Sequence, residues 1–249
     1  ALLVNQPGGY AEMGAYNAIL RVKQVPIMVL GMLVAPLLPI LSECFGKKDA
    51  KSYNKMLSYA FRMSLCIVVP ISLIQTAAPM LTLLPFGQEY QGYTNIVQWL
   101  MLHAVLVGLF HPFGRILASM GRMWFGFAYN LSWGAFLLVF TYLLVPPYGA
   151  AGLAAASALT HLITSLFCVG YIYHYEKAFI VGTPLGYFIL SVLFLFCICA
   201  TVSYWVPPLM AGGIGFMAAL TLVVILMHLT KVRSVQTESI MTKEPFKEK

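Results

Sequence analysis

The sequence predicts an all-α fold, a polytopic transmembrane helix bundle of about seven spans. Of its 249 residues, 60% are hydrophobic and 9% are charged, and the mean hydropathy is +0.83. A soluble domain carries roughly 25% charged residues, because water must solvate its surface. With so few charges, lipid must cover most of the exterior, which excludes a cytoplasmic enzyme, a secreted module and a disordered chain.

Seven apolar runs follow one another along the chain, and each is long enough to cross a bilayer. A hydrocarbon core of about 30 Å needs about 20 mostly apolar residues in a helix. The runs are residues 14–44, 57–84, 95–119, 123–145, 150–174, 184–205 and 209–230. Short connections with turn residues separate them, such as Pro146-Pro147-Tyr148-Gly149. None of these connections is long enough to hold a soluble catalytic domain.

The basic residues predict an orientation in the membrane. Lys and Arg occur in the tail and in the predicted loops 46–56, 120–123 and 175–183, whereas loops 85–94, 146–149 and 206–212 carry none. Since basic loops remain in the cytoplasm, the first residues are predicted outside and the tail inside. The net charge of +7 therefore indicates orientation rather than a nucleic-acid surface. The odd number of spans, and a start at Ala1 without an initiator Met, predict a fragment whose preceding helices are missing.

The cysteines indicate neither a disulfide framework nor a metal site. They are odd in number, lie in or beside apolar runs, and lack paired metal-ligand spacing, so we interpret them as small hydrophobic side chains. They are Cys44, Cys66, Cys168, Cys197 and Cys199. The runs also contain no Gly-rich phosphate loop, no Ser-His-Asp pattern and no carboxylate pair. We therefore expect no catalytic residues, no enzymatic activity and no cofactor.

Several blocks of the sequence together resemble one family of membrane transporters. They include residues 5–18 (NQPGGYAEMGAYNA), 36–43 (PLLPILSE), the loop at 46–49 (GKKD) and residues 146–156 (PPYGAAGLAAA). In order and spacing these blocks are similar to polysaccharide-biosynthesis flippases of the Wzx type, which belong to the MOP (MATE-like) superfamily. The similarity covers about residues 5–175.

The resemblance implies most of the C-terminal lobe of a MATE-like two-lobed transporter. Such lobes are related by a pseudo-two-fold axis and alternate in access around a central cavity. On this reading residues 1–13 form an extracytoplasmic segment, and residues 14–175 form the five-helix part of the lobe. Residues 176–230 form an additional transmembrane helix pair, and residues 231–249 form a cytoplasmic tail.

The resemblance also implies a function. The protein would flip a polyprenyl-(pyro)phosphate-linked oligosaccharide, such as an O-antigen unit of lipopolysaccharide, across the cell inner (cytoplasmic) membrane by alternating access. Its partners would be this lipid-linked oligosaccharide, membrane lipids, the missing N-terminal lobe and the polysaccharide polymerase machinery, with no nucleic acid.

Three other functions remain open at this point. A MATE-type drug or cation antiporter should show an acidic residue facing the cavity within a span. A membrane-bound glycosyl or acyl transferase would need catalytic carboxylates or histidines at loop edges. A scaffold without transport activity would show no polar groups converging on a common cleft.

The first run carries the leading substrate-binding candidates. Asn17, Arg21 and Gln24 are spaced i, i+4 and i+7, so they share one face of a helix. An Arg fork with neighbouring amides suits an anionic diphosphate and the sugar hydroxyls beyond it. Lys23 is a further candidate on a different face, and we expect it to matter less than Arg21. The alternative is that both cations lie near the outer end of the span and reach the lipid headgroups.

Later runs carry the remaining candidates for a cavity. His111 and Arg115 are i, i+4 partners beside Pro112, and Arg62 lies about one turn inside the second run. The alternative for these residues is an interhelical histidine and two basic anchors at the membrane surface. His103, His161 and Asn130 are weaker candidates, because such side chains more often make helix-packing hydrogen bonds.

Overall fold

The computed structural model describes residues 2–175 and most of 196–221, where Val202, Val206, Leu209 and Ala219 are excepted. Within these residues the chain is helical and contains no β-strand, which confirms the predicted all-α class. The helices between residues 2 and 175 are α1 (Gly9–Val34), α2 (Leu37–Gly46), α3 (Ala50–Ala77), α4 (Pro79–Leu83), α5 (Thr94–Ser119) and α6 (Met123–Tyr175). Two short 3-10 helices, Leu84–Phe86 and Gln88–Tyr93, connect α4 to α5.

Four of the described helices are long and apolar enough to cross a membrane. They are α1, α3, α5 together with its preceding 3-10 turn, and α6. Large apolar side chains are exposed along them, especially on the first half of α6, as is typical of surfaces that contact acyl chains. The protein is therefore an all-α bundle with the composition and helix lengths of a membrane protein.

The first apolar run forms two helices rather than one. α1 begins at Gly9, earlier than the expected residue 14, and ends at Val34. α2 starts after Pro36, whose ring lacks the N–H that would continue the hydrogen-bond ladder. α3 then begins at Ala50, earlier than the expected residue 57, because the Asp49 carboxylate caps it by accepting a hydrogen bond from the Ser52 N–H at 3.1 Å.

α6 is an antiparallel hairpin. At Gly149 the backbone has φ 55° and ψ −133°, which interrupts the helix after Pro146 and Pro147. Phe125 and Tyr171 stack with ring centroids 3.7 Å apart, although they would lie about 70 Å apart in a straight helix. The chain therefore reverses at Gly149, and residues 123–148 pack against residues 150–175. This geometry agrees with the separate runs predicted at 123–145 and 150–174.

α5 is the central helix of the bundle. Its residues 103–106 are all buried, and four consecutive positions cover every face of a helix. α3 packs against one side of α5, where Gly108 lies directly against Val68 and leaves no space for a larger residue. The α6 hairpin and α1 pack against other sides. α1 and the α6 hairpin also contact each other directly, so side chains from α1, α5 and α6 can meet in the interior of the bundle.

The structure describes only part of the C-terminal region, for which the sequence predicts an additional helix pair and a cytoplasmic tail. Apart from Pro207, the described residues between 196 and 221 are helical. They pack on the bundle, and Gln98 on α5 donates a hydrogen bond to Ser203 at 2.7 Å. Residues 176–195 and 222–249 lie outside the described residues. The additional helix pair as a whole, the basic loop at 175–183 and the cytoplasmic tail therefore remain predictions.

Candidate functional site

Lys23 is buried in the interior of the helix bundle. The inward face of α1 consists of apolar side chains at helical spacing, and Lys23 replaces one of them between Ile19 and Pro26. Its side chain is only 6% exposed. Burial of an amine in an apolar interior is costly unless the group is hydrogen-bonded, so its partner is of functional interest.

The partner of Lys23 is a histidine on the central helix. Lys23 Nζ lies 3.1 Å from Nδ1 of His103, which is 8% exposed. Either Lys23 donates an N–H to an unprotonated Nδ1, or the Nδ1–H of His103 donates to a neutral amine. The hydrogen bond therefore survives in more than one protonation state of the pair.

His161 of the α6 hairpin completes this group. Its ring centroid lies 5.4 Å from that of His103 and 6.4 Å from that of Phe110. The Nε2 atom of His161 is buried and has no hydrogen-bond partner among the described residues. Lys23, His103 and His161, which we call the Lys23 cluster, thus come from three different elements of the bundle.

Among the described residues, no carboxylate lies within ion-pair distance of Lys23. Glu12, the acidic residue closest to it along α1, accepts a hydrogen bond from the backbone N–H of Ala150 instead. The Lys23 cluster therefore consists of three bases with no neighbouring acid in the described part of the chain. Any positive charge that it carries is uncompensated there.

A cleft of about 450 Å³ lies between α5 and the α6 hairpin. Most of its wall is apolar or aromatic, and its polar side chains are His111, Arg122, Tyr129, Asn130, His161 and Ser165. Arg122 and Met123 lie beside the Gly121 turn that joins the two elements, whereas His161 lies in the middle of its helix. Since His161 also faces His103, the cleft connects the region of the Gly121 turn with the Lys23 cluster.

His111, which the sequence offered either as a cavity residue or as an interhelical histidine, lies in the wall of this cleft. Its Nδ1 atom is buried and has no hydrogen-bond partner among the described residues. Asn130 also lines the cleft, and its amide donates a hydrogen bond to the carbonyl of Gly126 one turn earlier in its own helix. The cleft thus holds two imidazoles, His111 and His161, that each have one nitrogen open to a further partner.

The predicted stripe on α1 lies on the exposed face of the helix. Asn17, Arg21 and Gln24 are all exposed and share one side of α1, opposite the side that carries Ile19 and Lys23. Because α1 begins at Gly9, Arg21 lies further inside the helix than the predicted run 14–44 implied. The stripe does not meet the cleft or the Lys23 cluster within the described residues.

The other two basic candidates are also separate from the Lys23 cluster. Arg115 lies one turn beyond His111 on α5 and is half-buried, without lining the cleft. Arg62 is half-buried on α3 and follows Phe61, whose ring packs on Phe113 with centroids 5.4 Å apart. Both arginines therefore lie nearer the Gly121 end of the bundle than His103 does.

From the sequence alone, Lys23 ranks below Arg21, and His103 and His161 are weak candidates. One signal could have linked them. Their runs begin at residues 14, 95 and 150, and all three starts are predicted on the outer side of the membrane. Counted from these starts, Lys23, His103 and His161 have similar depths. A shared depth in the membrane is a condition for contact between helices, although it does not by itself establish which faces meet.

The described residues contain no group of three His, Cys, Asp or Glu side chains placed to hold a metal ion. Comparison of the chain with protein-family models, with curated proteins and with solved structures gave no match. The function is therefore inferred from the geometry described above and from the resemblance of the sequence motifs.

Proposed function

We propose that this chain is part of a membrane transporter that flips a polyprenyl-(pyro)phosphate-linked oligosaccharide across the cytoplasmic membrane for surface polysaccharide assembly. The supporting observation is the exposed stripe of Asn17, Arg21 and Gln24 on α1, a helix long and apolar enough to span the membrane. An exposed polar stripe within a spanning helix requires a polar environment on that side.

The depth of Arg21 supports a cavity rather than a headgroup anchor. Lys23 contacts His103, and both His103 and His161 lie well inside their helices. Arg21 precedes Lys23 by about half a turn, so it lies within the same apolar zone of the bundle. A cation in that zone faces water, an anion or another protein surface rather than acyl chains, because unpaired charge in hydrocarbon costs several kcal/mol.

The chemistry of the stripe matches the proposed substrate. A guanidinium binds phosphate oxygens with two parallel hydrogen bonds, and a diphosphate offers several such oxygens. The amides of Asn17 and Gln24 lie one turn before and one turn after Arg21 and can donate to or accept from sugar hydroxyls. The substrate itself supplies the negative charge that balances Arg21.

The proposed architecture follows from this assignment. The chain forms most of the C-terminal lobe of a two-lobed transporter, and the N-terminal lobe covers the Asn17–Arg21–Gln24 face across a central cavity. Substrate enters from the cytoplasmic leaflet and leaves to the outer leaflet as the lobes rock. In this proposal residues 46–49 face the cytoplasm and the Gly149 turn faces outside, as the distribution of basic loops predicts.

The position of Glu12 argues against the antiporter alternative. An antiporter of cationic substrates needs an acidic side chain that faces the cavity within a span. Glu12 does lie in α1, which begins earlier than predicted, but its carboxylate is bonded to Ala150 at the turn of the α6 hairpin. It therefore holds two elements of the lobe together.

Surface polysaccharide in a deletion strain tests this proposal. The strain is complemented with the full-length protein carrying Arg21→Ala, Arg21→Lys or, as a control on a different face of the same helix, Leu33→Ala. Arg21→Ala should reduce surface glycan at least tenfold, and Arg21→Lys should restore it only partly because the bidentate fork is lost. Leu33 is exposed and apolar and lies about 120° around the helix from Arg21, so Leu33→Ala should retain the wild-type level.

Membrane abundance must be matched between these strains, because a folding defect would also lower surface glycan. Normal glycan from Arg21→Ala at matched abundance would show that Arg21 is a headgroup anchor and would reject the proposed substrate site.

A further inference from the structure

We propose that Lys23, His103 and His161 form a proton-binding site within the helix bundle, which is loaded through the cleft between α5 and the α6 hairpin. The role of this site as the coupling site of transport rests on the proposed function. The binding of protons by the cluster does not depend on that function, and it can be measured without any substrate.

The enclosure of the cluster limits what can bind there. Lys23 and His103 are 6% and 8% exposed, so neither can touch a diphosphate or a sugar. A proton needs no such space, because it moves along hydrogen bonds from one nitrogen to the next. The 3.1 Å contact between Lys23 Nζ and His103 Nδ1 is short enough for this transfer.

The geometry of the pair allows it to gain and lose a proton without losing its hydrogen bond. With Lys23 as an ammonium, Nζ donates to the free lone pair of His103 Nδ1, and the imidazole carries its hydrogen on Nε2. When the ammonium gives up one proton, the neutral amine still donates to, or accepts from, the same nitrogen. Both states are therefore compatible with the same arrangement of α1 and α5.

Because no described acid lies beside the cluster, the free-energy cost of its positive charge depends on how much water is near it. No described carboxylate lies within ion-pair distance of Lys23, and an uncompensated charge in an apolar interior costs several kcal/mol. Water that enters the cleft lowers this cost, and closure of the cleft raises it again. Proton binding is thereby linked to the opening of the bundle, as coupling to a transport cycle requires.

His161 provides the connection between the Lys23 cluster and the cleft. Its ring lies 5.4 Å from that of His103, and its buried Nε2 has no partner among the described residues. The same side chain forms part of the wall of the cleft. A proton taken from water in the cleft therefore reaches His161 first. No hydrogen bond joins the two rings directly, so a water molecule between them passes the proton to His103 and then to Lys23.

The titratable groups around the cluster come from three elements. α1 contributes Lys23, α5 contributes His103, and the α6 hairpin contributes His161. From α3, Arg62 lies nearer the Gly121 end, level with Phe113, and Cys66 is exposed. His111 and Arg122 lie along the cleft toward the same end. Protonation of the cluster is consequently governed by its own three members and by water in the cleft.

Nitrogen-15 NMR of histidine-labelled full-length protein in lipid nanodiscs tests the proton site directly. The ring nitrogen shifts report protonation and tautomer, and they are followed from about pH 5 to pH 10, a range that includes the ordinary pKa values of His and nearly reaches that of Lys. We expect the His103 Nδ1 signal to titrate in the wild type. Lys23→Met should abolish that titration or displace its midpoint by at least one pH unit, whereas Arg21→Met on the exposed face should not.

Two results would overturn the proposal. If the His103 and His161 signals do not change with pH in the wild type, the cluster binds no proton. If Lys23→Met leaves the titration unchanged while the rest of the spectrum shows a folded protein, Lys23 is not part of the site. Lys23→Arg provides a second variant, because its permanent positive charge should lock the His103 signal in one form at all pH values tested.

The loading path is tested by thiol labelling in a cysteine-free background. Asn130→Cys lies in the wall of the cleft, and Leu138→Cys lies on the exposed apolar face of the same helix. A small charged thiosulfonate should modify the first and not the second when it is added to inside-out vesicles. Failure to modify Asn130→Cys from that side would reject the cleft as the path.

Failure of this proposal and failure of the proposed function are distinguishable. A His103 signal that does not titrate, together with loss of surface glycan in Arg21→Ala, would describe a flippase without this proton site. A titrating cluster with normal glycan in Arg21→Ala would describe a proton-binding membrane protein with a different function.

Discussion

Glu12 on α1 accepts a hydrogen bond from the backbone N–H of Ala150, with Oε2 lying 2.7 Å from the amide nitrogen. Ala150 is the first residue after the reversal at Gly149, so its N–H is one of those that a helix start leaves without an intrahelical partner. The carboxylate therefore caps the second half of the α6 hairpin from a different helix. It joins the start of α1 to the turn of the hairpin at one end of the bundle.

Removal of this cap should destabilise the bundle. Glu12→Ala eliminates the acceptor and is expected to lower the free energy of unfolding by about 1 kcal/mol, the usual effect of losing a helix cap. Glu12→Gln keeps an acceptor oxygen and should lose less. Thermal unfolding in detergent micelles measures the difference, with the exposed Glu89→Ala as control. Equal melting temperatures for Glu12→Ala and Glu89→Ala would show that the cap is unimportant.

The conformation at Gly149 should tolerate no side chain. Its φ of 55° and ψ of −133° are accessible to glycine, and an added Cβ would collide with the Glu12 carboxylate. We expect Gly149→Ala to cost at least about 1–3 kcal/mol of stability and to reduce membrane abundance. Gly134→Ala, in the first half of the same hairpin, has open space around it and should be neutral or slightly stabilising. Equal abundance of the two variants would contradict the sharp reversal at Gly149.

The predicted orientation makes Lys51 cytoplasmic and Gln91 extracytoplasmic. In a protein without native cysteines, Gln91→Cys should react with an impermeant maleimide in intact cells, and Lys51→Cys should react only after the membrane is opened. Both positions belong to connections or helix ends, where a thiol is within reach of water. The reverse labelling pattern would invert the topology and place the cleft at the outer face.

The Asp49 cap of α3 should make part of the free energy of unfolding depend on pH in the acid range. Hydrogen bonds from Ser52, first from its side chain and then from its backbone N–H, hold the pKa of Asp49 below its ordinary value. A carboxylate with a lowered folded-state pKa adds stability above its unfolded pKa of about 4, and this stability is lost as the pH falls through the folded value.

Asp49→Asn retains a capping oxygen but cannot titrate. The melting temperature of the wild type should therefore exceed that of Asp49→Asn at pH 7, and the difference should shrink as the pH is lowered below about 4. A difference that stays constant across this range would show that ionised Asp49 contributes nothing beyond its hydrogen bond.

Much of the fold follows from local features of the sequence. The low charge and the length of the apolar runs predict membrane-spanning helices, and the described helices confirm the all-α class. The Pro146-Pro147-Tyr148-Gly149 sequence predicts a break, because proline ends hydrogen-bond ladders and glycine accepts a positive φ. The structure places the reversal there. The boundaries of α1, α2 and α3 were less predictable, since polar residues such as Asp49 act as caps within otherwise continuous patterns.

The sequence by itself determined that Asn17, Arg21 and Gln24 share one face of a helix and that Lys23 lies on another, because helical periodicity sets relative directions within one element. Only the tertiary structure decided that the Lys23 face turns inward. The periodicity of α1 does not state which face meets a partner, and α5 is buried on every face, so no stripe marks His103 as a contact. The Lys23 cluster exists because α1 and the α6 hairpin pack on the same central helix at the same depth, which is a property of the assembled bundle and of no single segment.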